Sequence, residues 1–157
     1  MEVRPIGFIR SPFTELEDMP IQPPGAAGIK GSVELLPEFT EGLQDLDGFS
    51  HIVLLYLFDR SSGYKLTVVP FLDDKPHGLF ATRAPKRPNP IGMSVVTLDR
   101  IQGSVLHVVG VDVLDRTPLL DIKPYVPDFD APAHCRSGWL EHSGKNAQER
   151  RSDDRFR

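Results

Sequence analysis

The chain falls into strand-sized runs of apolar residues separated by stretches rich in proline and glycine. Val3–Arg10 (VRPIGFIR) alternates loosely and predicts a first strand, with Pro5 marking a sheet edge because its nitrogen has no donor for a ladder. Ser11–Gly31 carries Pro12, Pro20, Pro23, Pro24, Gly25, Gly28 and Gly31 and predicts a long irregular loop, which in a compact domain is functional or disordered. Ser32–Leu36 predicts a short strand and Glu38–Leu46 (EFTEGLQDL) a short helix. Phe49–Phe58 (FSHIVLLYLF) is almost continuously apolar over the length of a strand, which predicts a central strand buried on both faces.

Leu66–Phe71 predicts another strand, followed by a polar turn at Asp73–His77. Met93–Ile101 and Val105–Leu114, joined by a turn at Gln102–Ser104, predict a hairpin. Asp115–Pro118 reads as a turn and Leu119–Tyr125 as a last strand broken at Pro124. Strands of this length and spacing indicate an antiparallel sandwich or barrel, so the expected class is mainly all-β, with irregular loops and one or two short helices. The pattern fades after Pro127. One domain is expected over 1–143, and the polar tail 144–157 (GKNAQERRSDDRFR) is expected to be disordered.

Leu79–Gly92 (LFATRAPKRPNPIG) breaks the pattern. Each proline fixes its own φ and pushes the preceding residue out of the α region, so the stretch is expected to be a stiff extended loop, neither helix nor ordinary strand. An ordered loop binds a ligand without losing entropy at that moment. Arg83, Lys86 and Arg87 suit a carboxylate or phosphate, and the Asn89 amide both donates and accepts. A proline-braced corner whose charges face water fits the same residues.

Length and composition narrow the picture only in part. A chain of 157 residues, 39% hydrophobic and 25% charged, suits one soluble globular domain with a real core. Its 15 prolines and 13 glycines favour short elements over long helices. With 18 basic and 22 acidic side chains the net charge is -4, which argues against a non-specific nucleic-acid coat but leaves room for a local basic patch. Cys135 is the one cysteine, so no internal disulfide is possible and a reducing, cytoplasmic setting is expected. Near Met1 there is no secretory apolar segment, and Ile52–Phe58 is too short to span a bilayer.

Common catalytic signatures are missing. Gly25, Gly28 and Gly31 do not make a dinucleotide fingerprint, and neither a P-loop nor a G-x-S-x-G elbow occurs. The histidines are scattered without a close pair, so no metal site is expected, including at His134, Cys135 and His142. His51 reads as a satisfied strand histidine and Cys135 as an inert thiol. Asp112–Tyr125 (DVLDRTPLLDIKPY) crowds Asp112, Asp115, Asp121 and Lys123 together, which costs stability unless the charges are paired or used. A local Asp115–Thr117 turn accounts for Asp115 alone.

Five pieces carry a family resemblance: IGFIRSPF (Ile6–Phe13), IQPPG (Ile21–Gly25), the FSHIVLLYLF run, FATRAPKRPNPIGMS (Phe80–Ser94) and DRTPLLDIKPYVP (Asp115–Pro127). Together they span most of Ile6–Pro127, and the chain resembles the TsaA-like or TrmO family of tRNA N6-threonylcarbamoyladenosine methyltransferases. The resemblance implies a small antiparallel β-barrel of roughly six or seven strands, a homodimer, S-adenosylmethionine held by loops, and a tRNA anticodon loop as substrate. Donor contacts carried over fall on Gln22, Pro23, Pro24, Asp59, Arg60, Arg83, Asp112, Val113, Leu114 and Asp115. Lys86, Arg87, Asn89, Asp121, Lys123 and Tyr125 are the candidates for the acceptor.

Two departures from the family stand out. Arg116 occupies the place of a common glycine in a D-G-T-P turn, where φ > 0 would strain it. The chain also stops before the extra C-terminal domain of longer bacterial members. Three functions therefore stay open: tRNA methylation, methylation of a small metabolite by the same fold, or a module that holds a nucleotide-like ligand without turnover, since no general base is apparent.

Overall fold

Among the described residues, six strands close into an antiparallel barrel whose interior is filled by every second residue of each wall. The computed structural model describes residues 1–20 and 23–143. In chain order the strands are β1 (Gly7–Arg10), β2 (Lys30–Leu35), β3 (His51–Leu57), β4 (Thr67–Val68), β5 (His77–Gly78), β6 (Ile91–Gln102), β7 (Val105–Val109) and β8 (Thr117–Pro124). Around the barrel they run β1, β2, β7, β6, β3, β8, while β4 and β5 form a separate two-stranded ribbon. Two one-turn helices, α1 (Pro127–Asp130) and α2 (Leu140–Ser143), follow the last strand.

The alternation of β3 and β6 is what closes the wall. Ile52, Leu54 and Tyr56 point inward from β3, opposite Val96, Ser94 and Gly92 of β6. Ile9, Val33, Ile52, Leu54, Val96, Leu106, Val108 and Leu119 are at most 1% exposed. Each buried side chain of this kind contributes about 1.5–3 kcal/mol. No helix among the described residues is long and apolar enough to cross a membrane.

The β6–β7 hairpin forms as expected, although β7 ends at Val109 and leaves 110–114 as a separate segment. Other elements differ from the expectation. β1 starts only at Gly7 and has neighbours on both sides, so Pro5 precedes the strand and marks no edge. Glu38–Leu46 is not an α-helix; Pro37–Leu43 forms a 3-10 helix followed by a second short one at Leu46–Gly48. The apolar run of β3 is buried on its inner face only, because in a barrel every second residue looks outward. Leu66–Phe71 does not join the wall: only Thr67–Val68 pair, and they do so with His77–Gly78. Leu79–Gly92 begins with a 3-10 turn at Leu79–Ala81 and ends inside β6. The tail 144–157 lies outside the described residues.

Candidate functional site

At the end of the barrel where β3 finishes and β6 begins, the inward row changes from aliphatic to polar. Ser94 is 2% exposed, and its hydroxyl lies 2.9 Å from the Tyr56 hydroxyl and donates to Asp112 Oδ1 at 2.5 Å. Glycine is required at 92 because a Cβ there would run into the Tyr56 ring across the ladder. Asp112 arrives from the segment after β7, which Val111, Val113 and Leu114 anchor in the core. Burial pushes the Asp112 carboxyl above the usual carboxylate range, opposed by the Ser94 hydrogen bond, its own backbone N–H and the Arg83 charge. Burial, with the nearby Asp112 charge, raises the Tyr56 phenol too.

Above this floor the proline-rich loop is held stiff. Arg87 Nη1 donates to the carbonyls of Thr82 (3.0 Å), Leu79 and Ala84 (both 3.4 Å), and its guanidinium stands 5.7 Å from the Phe80 ring centre. Thr82 Oγ1 donates to the Leu79 carbonyl and accepts from the Ala84 N–H, and the Phe58 N–H donates to the Pro90 carbonyl. The loop is thereby tied to itself and to β3, so Arg87 spends donors internally while Arg83 stays exposed.

Loop and acidic segment share one cavity of about 660 Å³, a size suited to a cofactor-sized ligand. Of the sequence candidates, Asp59, Arg60, Arg83, Lys86, Arg87, Asp112, Val113 and Leu114 line it. Asp115 does not. It accepts from Arg10 Nε at 2.8 Å and from the Ser11 N–H, and the Arg10 guanidinium holds its carboxyl below the usual range. It therefore clamps the turn to β1, while its carbonyl accepts from Arg60 Nη2 at 3.4 Å.

Asn89, Asp121, Lys123 and Tyr125 also lie outside the cavity wall. Asp121 and Lys123 pair at 2.8 Å on β8, and Tyr125 meets the His51 ring edge-on at the start of β3. Gln22 falls outside the described residues, and Pro23 and Pro24 belong to a 3-10 turn at Pro23–Ala26.

The sequence alone did not single out Tyr56, Phe80 and Trp139, which line the cavity, or Ser94, which stands behind its wall and bonds to Tyr56 and Asp112. Ser94 was detectable as a polar residue in the inward phase of an alternating strand. Trp139 stacks on His77 with ring centres 4.4 Å apart and donates Nε1–H to the Ala81 carbonyl at 2.8 Å, which brings the C-terminal segment against the loop. His77 Nε2 lies 2.9 Å from Asp73 Oδ2, and that hydrogen bond lowers the Asp73 carboxyl to about 2.

Residues 8–131 match the family model for the tRNA-methyltransferase O N-terminal domain. A probable S-adenosyl-L-methionine-binding protein of Pyrococcus abyssi is 54% identical over 153 residues, covering 98% of this chain and 83% of the relative. A tRNA (adenine(37)-N6)-methyltransferase of Mus musculus is 36% identical over 135 residues, covering 82% of this chain but 31% of the relative. The crystal structure of TrmO from Pseudomonas aeruginosa superposes with a TM-score of 0.74 at 45% identity, over 88% of this chain and 62% of that one. The chain thus spans about three fifths of the solved structure and under a third of the mouse relative.

Proposed function

The chain belongs to the tRNA-methyltransferase O N-terminal domain family, and from that premise we propose that it moves a methyl group from S-adenosyl-L-methionine to N6 of adenine 37 in the anticodon loop of tRNA, on a base that already carries a threonylcarbamoyl group. What carries this function is the single cavity walled on one side by the braced basic loop and on the other by the Asp112–Leu114 segment. The names of the relatives supply the donor and the acceptor position.

The lining suits the donor by chemistry. Asp59 offers a carboxylate for its ammonium, Arg83 a guanidinium for its carboxylate, and Leu114, Phe71 and Leu72 an apolar wall for its adenine. Bound there, it supplies a methyl group on a positively charged sulfur, ready for in-line displacement. The chain's own part is alignment, and the loop that Arg87 staples to itself gives a fixed frame for it. Phe80, 74% exposed at the rim, offers a stacking face to a base splayed out of a single-stranded loop. Lys86 lines the same wall within reach of phosphate or the threonyl carboxylate.

Pairing of two chains is part of the proposal. Leu55 and Leu57 of β3 stand beside Met93 and Ile91 of β6 on the outer wall, and the last two are 45% and 46% exposed while also bordering the cavity. Mass spectrometry of anticodon-loop nucleosides from a strain lacking the gene should show loss of the N6-methyl form; an unchanged profile sinks the proposed reaction. Light scattering that finds only the 17.5 kDa single chain removes the pairing.

A further inference from the structure

Methylation at an exocyclic N–H raises a question that donor binding leaves open: where the proton goes. The groups lining the cavity restrict the answer. Arg60, Arg83, Lys86 and Arg87 are cations and have no lone pair to offer at neutral pH. Tyr56 keeps its proton, since burial raises the phenol. No histidine lines the cavity among the described residues, and two carboxylates remain, Asp59 and Asp112. Asp59 is exposed at the mouth, whereas Asp112 sits at the floor with one oxygen fixed by Ser94.

We propose that Asp112 is the proton acceptor of the methyl transfer, held in place by the hydroxyl chain from Tyr56 through Ser94. The proposal rests on the methyltransferase function above. As the N6–CH3 bond forms, the S–CH3 bond breaks with its electron pair left on sulfur, and the N6–H proton passes to the Asp112 carboxylate. Atoms and charge balance: the sulfonium becomes a neutral thioether, the carbamoylated N6 stays neutral, and the carboxylate becomes a carboxylic acid.

Geometry makes Asp112 fit for this. The Ser94 hydroxyl has one hydrogen and spends it on Oδ1, which fixes the carboxyl plane. Tyr56 then supplies the hydrogen between itself and Ser94 and locks the direction of the chain. Burial raises the carboxyl, and a carboxylate of higher pKa is a better base. The other charged group acting on it is Arg83, whose positive charge pulls in the opposite direction, as do the Ser94 hydroxyl and the Asp112 backbone N–H. A purely structural carboxylate would be a costly choice here, since burying it is unfavourable and an amide would accept the same hydrogen bond.

The test uses Asp112→Asn, isosteric and still able to accept from Ser94, with calorimetry of donor binding, single-turnover transfer to tRNA across pH, and a thermal melt as the folding control. Expected is a donor affinity within about twofold of wild type together with a transfer rate lower by about 100-fold or more. Ser94→Ala is the second variant: it keeps the carboxylate but removes a bond that lowers its pKa, so the acid limb of the rate profile should move to higher pH. Donor affinity and rate falling by the same factor in Asp112→Asn would make Asp112 a donor contact and overturn the proposal. So would undiminished transfer. A wild-type chain that binds donor but methylates no tRNA overturns the function itself, and this inference with it.

Discussion

Arg116 is a non-glycine residue at φ 67°, in the turn that leads from the cavity wall into β8. The Thr117 N–H bonds to the Leu114 carbonyl at 3.3 Å, which places Asp115 and Arg116 at the two central positions of a four-residue turn. Positive φ at the second of these is what a type II turn demands, and it favours glycine. Replacing Arg116 by glycine should therefore stabilise the protein. A Cβ in the left-handed region costs about 1–2 kcal/mol, and glycine gives back about 0.5–1 kcal/mol through the freedom of its unfolded chain. The net gain is about 0.5–1 kcal/mol, and at about 2–4 °C per kcal/mol for a chain of this size the melting temperature should rise by about 1–4 °C.

Little else changes in that substitution. The Arg116 N–H still reaches the Ile9 carbonyl at 2.8 Å, and the Asp115 N–H still reaches the Phe13 carbonyl at 2.7 Å. The exposed Arg116 guanidinium makes no hydrogen bond or ion pair among the described residues. Urea denaturation followed by circular dichroism, with calorimetry for the melting temperature, measures the effect. A lower midpoint at unchanged slope would refute the strain argument, because it would mean that the arginine side chain stabilises the turn by more than its backbone costs.

Three further outcomes follow from the site. Arg83→Ala should weaken binding of S-adenosyl-L-methionine by about 1.5–3 kcal/mol, the range for a hydrogen bond to a charged group, and calorimetry returning wild-type affinity would refute the donor role. Gly92→Ala puts a methyl group into the Tyr56 and Phe58 rings and should cost about 1–3 kcal/mol in urea denaturation, with an unchanged midpoint showing that the rings move aside freely. Asp73 titrates at about 2, below the ordinary carboxylate range, so its stabilising bond to His77 is complete above pH ~4 and is lost as pH falls toward 2. Fluorescence of Trp139, the one tryptophan of the chain, should report that loss, and Asp73→Asn should abolish the transition; a transition that survives the substitution refutes the assignment.

What the sequence revealed depended on whether the signal was local. The β6–β7 hairpin was legible because its alternation and its Gly103 turn are neighbours along the chain. The stiffness of Leu79–Gly92 was legible because proline acts on its own φ and on the residue before it. Leu66–Phe71 misled for the same reason: β-rich composition was present, but the exposed Leu66 and Val69 flank a two-residue ribbon and join no core. Nor does apolar periodicity say whether an outer face is covered, so β3 looked buried on both sides. That the loop and the Asp112 segment meet depends on barrel closure, which no window of sequence contains. The family motifs pointed to both pieces and also contained Tyr56 and Ser94, but nothing in them singled out either residue as part of the site.

The hydroxyl chain at the barrel floor has a direction, and that makes its members unequal. Ser94 donates to Asp112 and receives from Tyr56, so Ser94→Ala leaves the buried Tyr56 hydroxyl without a partner and takes a donor from the Asp112 carboxylate, which keeps only its own backbone N–H, whereas Tyr56→Phe removes a donor and leaves Ser94 still bonded to the carboxylate. An orphaned buried group costs about 1–3 kcal/mol, more when charged, while the loss of one satisfied bond with its donor costs about 1 kcal/mol. Ser94→Ala should therefore destabilise more than Tyr56→Phe, even though the serine is the smaller side chain and its removal opens almost no space. Packing hardly separates the two, since each substitution removes one buried hydroxyl oxygen and phenylalanine keeps the ring that fills the end of the barrel, where Tyr56 is 3% exposed. If urea denaturation ranks Tyr56→Phe as the costlier change, the direction assigned to the chain is wrong. The carboxylate at its end would then be held by something other than Ser94.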